Sequence, residues 1–200
     1  MKSRNIEWYN EEYSRLQESG SSWSTPQMYE NKLECLNWCC ESVGILKTVS
    51  ILDVGCGAGE LAKLLFRNGY SNVDGIDISE VAIKHAVRIH NSTFLSKDFS
   101  CPVKLEKEYD CIYDTDCLHM VVGHQARKAF LENVKLNLSE NGVFLTGINS
   151  SRKDVDPYVV LDGVAQYFWP QKEQYIEEIC KAGLHNDSIA RYAAKKQEKM

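Results

Sequence analysis

Residues 51–62 read ILDVGCGAGELA, an apolar run that ends in closely spaced glycines and passes into a helical pattern. A short continuous apolar run is typical of a strand that is buried on both faces of a parallel sheet. Gly55, Gly57 and Gly59 allow the backbone to adopt positive φ and allow a ligand to approach the main chain closely. The stretch therefore predicts a strand–turn–helix unit with a ligand site at its turn.

Helical and strand patterns alternate on both sides of this unit. Such alternation predicts an α/β fold, here a Rossmann-like three-layer sandwich with a mostly parallel sheet. The predicted strands are 49–54, 72–77, 93–97, 110–114 and 142–148, with a further short strand at 184–189. The predicted helices are 5–18, 27–42, 60–68, 79–90, 125–138 and 171–182, and the segment 150–170 is predicted to be irregular.

The composition is that of a folded globular protein rather than a fibrous or disordered one. Of the 200 residues, 44% are apolar and 26% are charged, and this length favours a single domain. No apolar run approaches the roughly 18 residues that span a bilayer, and the first residues do not resemble a secretory segment, so we expect a cytoplasmic protein without membrane contact. The net charge of −5 disfavours nucleic acid as a partner. The eight cysteines form no CxxC pair and are expected to be reduced thiols.

Three aspartates are predicted at the carboxyl ends of consecutive strands. Asp53 precedes the glycines, Asp77 follows Gly55 by 22 residues, and Asp98 ends the third strand. Ligands bind at the carboxyl edge of an open α/β sheet, and a carboxylate about 20 residues beyond the glycine turn is placed to hold ribose hydroxyls. The sequence therefore predicts a nucleoside site with acidic walls.

The charge around the glycine turn distinguishes between two nucleoside ligands. Residues 57–62 fit the dinucleotide pattern G-x-G-x-x-G/A, but Asp53 and Glu60 flank the turn and would repel a pyrophosphate. A ligand with an adenosine end and a cationic end fits better, because carboxylates attract an ammonium or sulfonium group. S-adenosylmethionine is such a ligand, and an NAD-dependent oxidoreductase is the alternative.

With these features the sequence resembles the class I S-adenosylmethionine-dependent methyltransferases. ILDVGCGAGELA (51–62) is similar to their first motif, GIDIS (75–79) to their second-strand motif, and KDF (97–99) to their adenine-contacting turn. YDCIYDTDCLHMV (109–121) is similar to their strand-four motif, and SENGVFLTGI (139–148) to the turn and strand that follow. The resemblance implies an enzyme that transfers a methyl group in line from the sulfonium to an acceptor and leaves S-adenosylhomocysteine as product.

The resemblance also divides a single domain, 1–200, into three parts. These are an N-terminal helical lid (1–44), a cofactor-binding core (45–149) and an acceptor-side flap with the C-terminal elements (150–200). In this family pattern the methionine part of the cofactor lies against the glycine turn. The residues implied for the cofactor are Trp23 in the lid; Asp53, Gly55, Cys56, Gly57 and Gly59 at the methionine part; Asp77 at the ribose; Ile78, Asp98 and Phe99 at the adenine; and Asp114 at the pocket floor.

Three further features bear on the subgroup and on its departures from the family pattern. Residues 23–26, Trp-Ser-Thr-Pro, precede a helix and are similar to the lid of small-molecule methyltransferases of the thiopurine and tellurite type. Little sequence follows residue 189, so the family's seventh strand is expected to be absent, displaced or truncated. Asn141-Gly142 stands where the family often has Gly-Gly, a turn in which Asn tolerates positive φ.

No single residue is required as a nucleophile, because the sulfonium methyl is already electrophilic and the protein mainly aligns the acceptor. His119 is the candidate catalytic base or acceptor contact; the alternative is a histidine that bonds a backbone carbonyl. Cys35, Cys39 and Cys40 share one helix and suggest either a soft-metal or arsenite site or a face packed on the core. We prefer packing and predict no metal site, because no fourth ligand has a recognisable spacing.

The acceptor itself is open at this level. The acidic balance and compact size favour a small-molecule acceptor, with a protein acceptor as the leading competitor and a cofactor-binding protein without turnover as a third possibility. The sequence does not determine the oligomeric state. Four aromatic residues of the flap either shape an acceptor pocket or pack in the core; they are Tyr158, Tyr167, Phe168 and Trp169.

Overall fold

A computed structural model describes residues 2–86, 92–147 and 156–184 of the 200-residue chain. Its helices are α1 (Ile6–Glu18), α2 (Pro26–Val43), α3 (Glu60–Arg67), α4 (Glu80–Ala86), α5 (His124–Asn137) and α6 (Lys172–Lys181). Its strands are β1 (Lys2–Ser3), β2 (Ile51–Val54), β3 (Val73–Asp77), β4 (Phe94–Ser96), β5 (Tyr109–Thr115), β6 (Leu138–Gly147), β7 (Tyr158–Leu161) and β8 (Val164–Phe168).

The main sheet has five strands in the order β4-β3-β2-β5-β6, and all neighbouring pairs are parallel. Successive side chains point to opposite faces of a strand, so Ile51 and Cys111 pack in one core layer and Leu52 and Ile112 in the other. Residues of α2, α3 and α4 complete the first layer, and residues of α5 and α6 complete the second. The predicted Rossmann-like three-layer sandwich is confirmed.

The order in which the chain adds strands to the sheet switches sides at β2, which lies between β3 and β5. From β2 the chain proceeds outward through β3 to β4, and then returns to the other side of β2 as β5. In open α/β sheets such a switch point leaves a crevice at the carboxyl ends of the central strands. The glycine turn that follows β2 opens into this crevice.

The flap contains a second, smaller sheet, so the prediction that 150–170 is irregular is wrong for its described part, 156–170. Strands β7 and β8 form an antiparallel hairpin, and β1 pairs in parallel with β8. The hairpin turns at Asp162 (φ 51°) and Gly163 (φ 75°). An Asp-Gly pair between two β-rich runs is a hairpin signal that the sequence analysis missed. The strand predicted at 184–189 and the end of the helix predicted at 79–90 lie outside the described residues.

The turn before the last strand of the main sheet also differs from expectation. Leu138 pairs with Tyr109 and Val143 pairs with Cys111, so residues 139–142 form a bulge within β6. The described non-glycine residues with positive φ are Asp116 and Asp162, so Asn141 does not adopt the positive φ that it would tolerate. Gly142 is required by space: a Cβ there would lie 2.9 Å from the carbonyl oxygen of Tyr109.

Candidate functional site

A cavity of about 520 Å³ opens at the carboxyl ends of β2, β3, β4 and β5. This volume lies in the range of small-molecule sites. The turns after these strands form its floor and sides, and α1 and α2 contribute the remaining walls. Nine of the eleven residues predicted for the cofactor line it: Trp23, Asp53, Gly55, Cys56, Gly57, Asp77, Ile78, Asp98 and Phe99.

The glycine turn lies closely against its surroundings. Gly55 and Gly57 have φ of 79° and 56°, a region that L side chains rarely adopt. A Cβ on Gly55 would lie 2.7 Å from the Cβ of Cys117, and a Cβ on Gly57 would lie 2.7 Å from the hydroxyl of Tyr13. Glycine is therefore required at both positions by conformation and by space. Gly59, also predicted for the cofactor, does not line the cavity; it is the N-cap of α3, with φ of 80°.

Asp53 is a buried carboxylate with spare hydrogen-bonding capacity at the cavity. Its side chain is 3% exposed, and Oδ2 has no hydrogen-bond partner among the described residues. Burial raises the pKa of Asp53 to about 7; the charge of Lys32 lowers it, and nearby acids raise it further. A buried acceptor without a donor is unfavourable, so this oxygen suits a cationic, hydrogen-bonding ligand group.

Asp77 ends β3 and holds the glycine turn in place. Its Oδ2 accepts a hydrogen bond from the backbone N–H of Gly57 (2.9 Å), and its Oδ1 accepts one from the backbone N–H of Ser79 (2.9 Å). Burial raises the pKa of Asp77, and these backbone hydrogen bonds oppose that rise. Each carboxylate oxygen keeps a second lone pair, so the fixed carboxylate can still accept from a ligand hydroxyl.

The adenine side of the predicted site has apolar side chains, and a residue of α5 packs against them. Ile78 and Phe99 both line the cavity, and Phe99 contacts Phe130 edge-on at 5.1 Å. Asp98 also lines it, with Oδ1 accepting from the backbone N–H and the hydroxyl of Ser100. These contacts fix the turn after β4, and Asp98 and Phe99 still line the cavity.

Aromatic residues of α1 form a lid that the sequence analysis only partly anticipated. The rings of Tyr9 and Tyr13 lie 6.2 and 5.4 Å from the ring of Trp23, and all three line the cavity. The hydroxyl of Ser79 donates to the side-chain oxygen of Asn10 (2.8 Å) and ties α1 to the start of α4. Tyr9 and Tyr13 are four residues apart and share one helical face. This spacing was the available signal, although α1 otherwise reads as a polar helix.

Comparison with known proteins agrees with this geometry: residues 51–142 match the family described as "Methyltransferase domain". The match spans 92 of the 200 residues, and this part of the chain is similar to a methyltransferase domain. The match contains the glycine turn, Asp53 of β2, Asp77 of β3 and the turn after β5. The resemblance drawn from the sequence motifs, to the class I S-adenosylmethionine-dependent methyltransferases, is confirmed.

Relatives of the methyltransferase domain differ in what their names say they act on. The chain is 28% identical over 127 residues to EEF1A lysine methyltransferase 2 of Danio rerio, covering 58% of this chain and 54% of that protein. It is 28% identical over 153 residues to the ubiquinone biosynthesis O-methyltransferase of Leptothrix cholodnii, covering 71% of this chain and 64% of that protein. The chain thus spans somewhat more than half the length of these curated relatives.

A solved structure matches the fold over most of the chain. The 1,6-didemethyltoxoflavin-N1-methyltransferase of Burkholderia thailandensis, with S-adenosylhomocysteine bound, superposes with a TM-score of 0.66 at 16% identity. The match covers 91% of this chain and 80% of that chain. The fold of this chain is therefore shared with that methyltransferase.

Asp114 does not line the cavity, although it was expected on the pocket floor. It is fully buried, and burial raises its pKa to about 6. Its Oδ1 accepts from the backbone N–H groups of Cys117 (2.9 Å) and Leu118 (3.2 Å), and Oδ2 accepts from the hydroxyl of Thr146 (2.9 Å). The carboxylate of Asp114 is thus used to hold the turn after β5, and it supports the cavity without lining it.

Arg127 of α5 supports the same turn and was not anticipated from the sequence. Its side chain is buried, and Nη1 donates to the carbonyl oxygens of Leu118 (2.6 Å) and Val121 (3.1 Å). Nε and Nη2 donate to the two carboxylate oxygens of Glu178 at 2.8 and 2.6 Å. A bidentate pair of this kind is geometrically specific, and it joins the cavity wall to α6.

His119, the candidate base, does not line the cavity. Its side chain is 7% exposed, and Nδ1 has no hydrogen-bond partner among the described residues, so the alternative of a bond to a backbone carbonyl is not seen for this atom. Burial lowers the pKa of His119, which keeps the imidazole neutral near pH 7. Two charged residues near His119 do line the cavity, Lys32 and Asp116, and they form an ion pair at 3.0 Å. Neither was anticipated.

The three helical cysteines lie on the core side of α2. Cys39 and Cys40 are buried, and Cys40 packs with Leu36 and Tyr70 in the first core layer. Within the described ranges, no group of three or more His, Cys, Asp or Glu side chains is arranged to hold a metal ion. In the same part of the chain, no helix combines the length and apolar character needed to cross a bilayer.

Proposed function

We propose that this protein transfers the methyl group of S-adenosylmethionine to a small-molecule acceptor inside the lidded cavity. The observation that carries the proposal is the cavity itself. A space of about 520 Å³ lies between acidic strand ends and an aromatic lid of Tyr9, Tyr13 and Trp23. Such a space suits a nucleoside cofactor with a compact acceptor.

The described residues fit S-adenosylmethionine on two structural grounds. Gly55 and Gly57 line the cavity without side chains, which lets a ligand approach the main chain closely. Asp53 presents a buried carboxylate oxygen without a donor, which a cationic amino group would satisfy. When bound, the cofactor supplies an electrophilic methyl group on a sulfonium. We assign Asp77 to the ribose and Ile78, Asp98 and Phe99 to the adenine.

The chain's own contribution to transfer is alignment and exclusion of water. Tyr9, Tyr13 and Trp23 cover the glycine turn, and a covered site strengthens the attraction between fixed carboxylates and a cation. Holding two reactants at near-attack distance accounts for a large part of the barrier reduction in group transfer. We therefore expect lid substitutions to lower the transfer rate more than they lower the cofactor affinity.

On the acceptor side we assign contact with the acceptor to Asp116 and a positioning role to His119. Asp116 follows β5, reaches the cavity and pairs with Lys32 of α2. Nδ1 of the buried His119 lies 4.0 Å from Oδ1 of Asp116, behind the cavity wall. His119 thus acts through Asp116 in this proposal. His119→Gln should change KM for the acceptor and leave the affinity for S-adenosylhomocysteine unchanged.

A protein acceptor is the second candidate, and a specific observation favours it. The relative from Danio rerio is named as a lysine methyltransferase of EEF1A and matches 58% of this chain. The relative from Leptothrix cholodnii is named for a small molecule. The aromatic rings at the cavity, Tyr9, Tyr13 and Trp23, are our reason for preferring the small molecule, because they offer a flat apolar surface to a compact acceptor. We also propose that residues 1–200 act as one domain in the cytoplasm.

The first experiment establishes the cofactor. Calorimetric titration with S-adenosylmethionine, S-adenosylhomocysteine and NADH should show binding of the first two alone. Asp77→Ala should weaken both by about a hundredfold, because a buried carboxylate that accepts from ribose hydroxyls is lost. Binding of NADH alone would overturn the proposal in favour of an oxidoreductase.

The second experiment separates the two acceptor classes. Cell extract, its low-mass filtrate and its desalted protein fraction are each incubated with enzyme and methyl-tritiated S-adenosylmethionine. Label in the filtrate supports a small-molecule acceptor, whereas label that precipitates with acid supports a protein acceptor. Asp77→Ala serves as the control in every fraction. Absence of enzyme-dependent label in all fractions would contradict turnover and favour a cofactor-binding protein.

A further inference from the structure

Arg4 is a cation in the cavity that has no carboxylate partner among the described residues. It lies just before α1 and lines the cavity. Its guanidinium lies over the ring of Trp8 at 4.0 Å and near the ring of Tyr167 at 5.1 Å. Nη1 contacts the thioether sulfur of Met120 at 3.9 Å, and the buried Nε has no hydrogen-bond partner in the described chain.

A guanidinium held in this way has N–H groups that can donate hydrogen bonds to a ligand. Two aromatic rings occupy its faces, which leaves the in-plane N–H groups directed outward. A thioether is a weak acceptor, so the contact with Met120 replaces little of the lost hydration. A partly buried charge without a counter-ion is unfavourable until an anion pairs with it. The planar fork of the guanidinium matches a carboxylate in two-point contact.

The position of Arg4 points to the acceptor rather than to the cofactor. Tyr13, in the middle of α1, lies over Gly57 of the glycine turn, against which the methionine part of the cofactor is assigned. Arg4 precedes the first residue of α1, which lies roughly 10 Å along the helix from Tyr13 at 1.5 Å per residue. Arg4 interacts with Trp8 and Tyr9 of α1, and its neighbours outside that helix are Met120, after β5, and Tyr167 of the hairpin. Tyr167 also contacts His119 at 5.6 Å, on the side assigned to the acceptor.

We propose that Arg4 binds a carboxylate group of the methyl acceptor, so that the enzyme selects planar, anionic small molecules. The inference rests on the proposed function and extends it to a substrate class. The aromatic rings around Arg4 supply the flat apolar surface, and the guanidinium supplies the charge. Pairing of β1 with β8 brings Arg4 to Tyr167, so the carboxylate contact forms where the amino terminus and the flap meet.

The test uses benzoate and its neutral analogue benzamide as probes in calorimetric titrations of the protein saturated with S-adenosylhomocysteine. The expected result is that benzoate binds about tenfold more tightly than benzamide, and that Arg4→Gln removes the difference. Arg15→Gln is the matched control, because Arg15 lies on α1, the helix that Arg4 precedes, is exposed and pairs with Glu12. It should leave the preference for benzoate intact. Arg4→Lys should keep part of the preference, which a merely misfolded variant would not.

Three outcomes would overturn the inference. One is equal binding of benzoate and benzamide by the wild-type protein. Another is an unchanged preference for benzoate in Arg4→Gln. The third is a loss of affinity for S-adenosylhomocysteine in Arg4→Gln with no loss for 5′-methylthioadenosine, which lacks a carboxylate; Arg4 would then serve the cofactor. Failure of wild-type protein to bind S-adenosylhomocysteine would contradict the proposed function separately, and the benzoate and benzamide titrations would then be made on the free protein.

Discussion

Replacing Asp53 by asparagine should stabilise the protein, and the gain should grow as the pH rises. Burial raises the pKa of Asp53 from its ordinary value of 3.8 to about 7. An acid whose pKa is raised by folding destabilises the fold when it ionises. The penalty is absent below about pH 4, grows as the pH rises and is complete above about pH 7.

The magnitude follows from this range. One pKa unit corresponds to about 1.4 kcal/mol, and the folded protein is already half ionised at Asp53 near pH 7, so the penalty grows by about 2 kcal/mol between pH 5 and pH 7. Asparagine has nearly the shape of the protonated acid and carries no charge at any of these pH values. The difference in unfolding free energy between Asp53→Asn and wild type should therefore rise by about 2 kcal/mol over this interval. Asp114, with a pKa of about 6, titrates in the same range, and its charge contributes to the raised pKa of Asp53, so the difference between the two proteins includes this coupling.

Urea unfolding at pH 5, 6, 7 and 8, followed by circular dichroism, measures this difference directly. Asp162→Asn is the matched control: Asp162 is exposed in the hairpin turn at positive φ, which asparagine tolerates, so its effect should stay within about 0.5 kcal/mol at every pH. Parallel stability curves for wild type and Asp53→Asn from pH 5 to pH 8 would refute the reasoning. They would mean that water or another group already compensates the carboxylate.

Other substitutions test the glycine turn, the cavity wall and the core. Gly57→Val should abolish calorimetric binding of S-adenosylhomocysteine, because φ of 56° is unfavourable for a β-branched residue and the hydroxyl of Tyr13 occupies the space; unchanged affinity would contradict the site. Glu178→Ala should lower the unfolding free energy by about 3 kcal/mol, since it leaves the buried charge of Arg127 unpaired; a change within experimental error would mean that water reaches the guanidinium. Gly75→Ala should cost about 1–3 kcal/mol in urea unfolding, because its Cβ would lie 2.7 Å from side-chain atoms of two buried neighbours; a neutral result would show that this layer can expand.

Much of the cofactor side was predictable because it depends on residues that are near one another in sequence. A strand, a glycine turn and an acid at the next strand end repeat a local pattern whose geometry follows from parallel pairing. Asp53, Gly57 and Asp77 therefore lie together as predicted. The Asp162-Gly163 hairpin had an equally local signal, and overlooking it was an error of interpretation rather than a lack of information.

The sequence by itself determined the parallel sheet and the cradle at its carboxyl edge, because apolar runs, glycines and strand-end acids act over a few residues. Only the tertiary structure decided which charged groups face the cavity. Arg4 and Asp116 reach it, whereas Asp114 and His119 do not. That distinction depends on how the lid and flap pack over the sheet, and such packing joins residues more than a hundred positions apart. The acceptor side is built from these distant contacts, which is why its chemistry emerges from the fold and not from a motif.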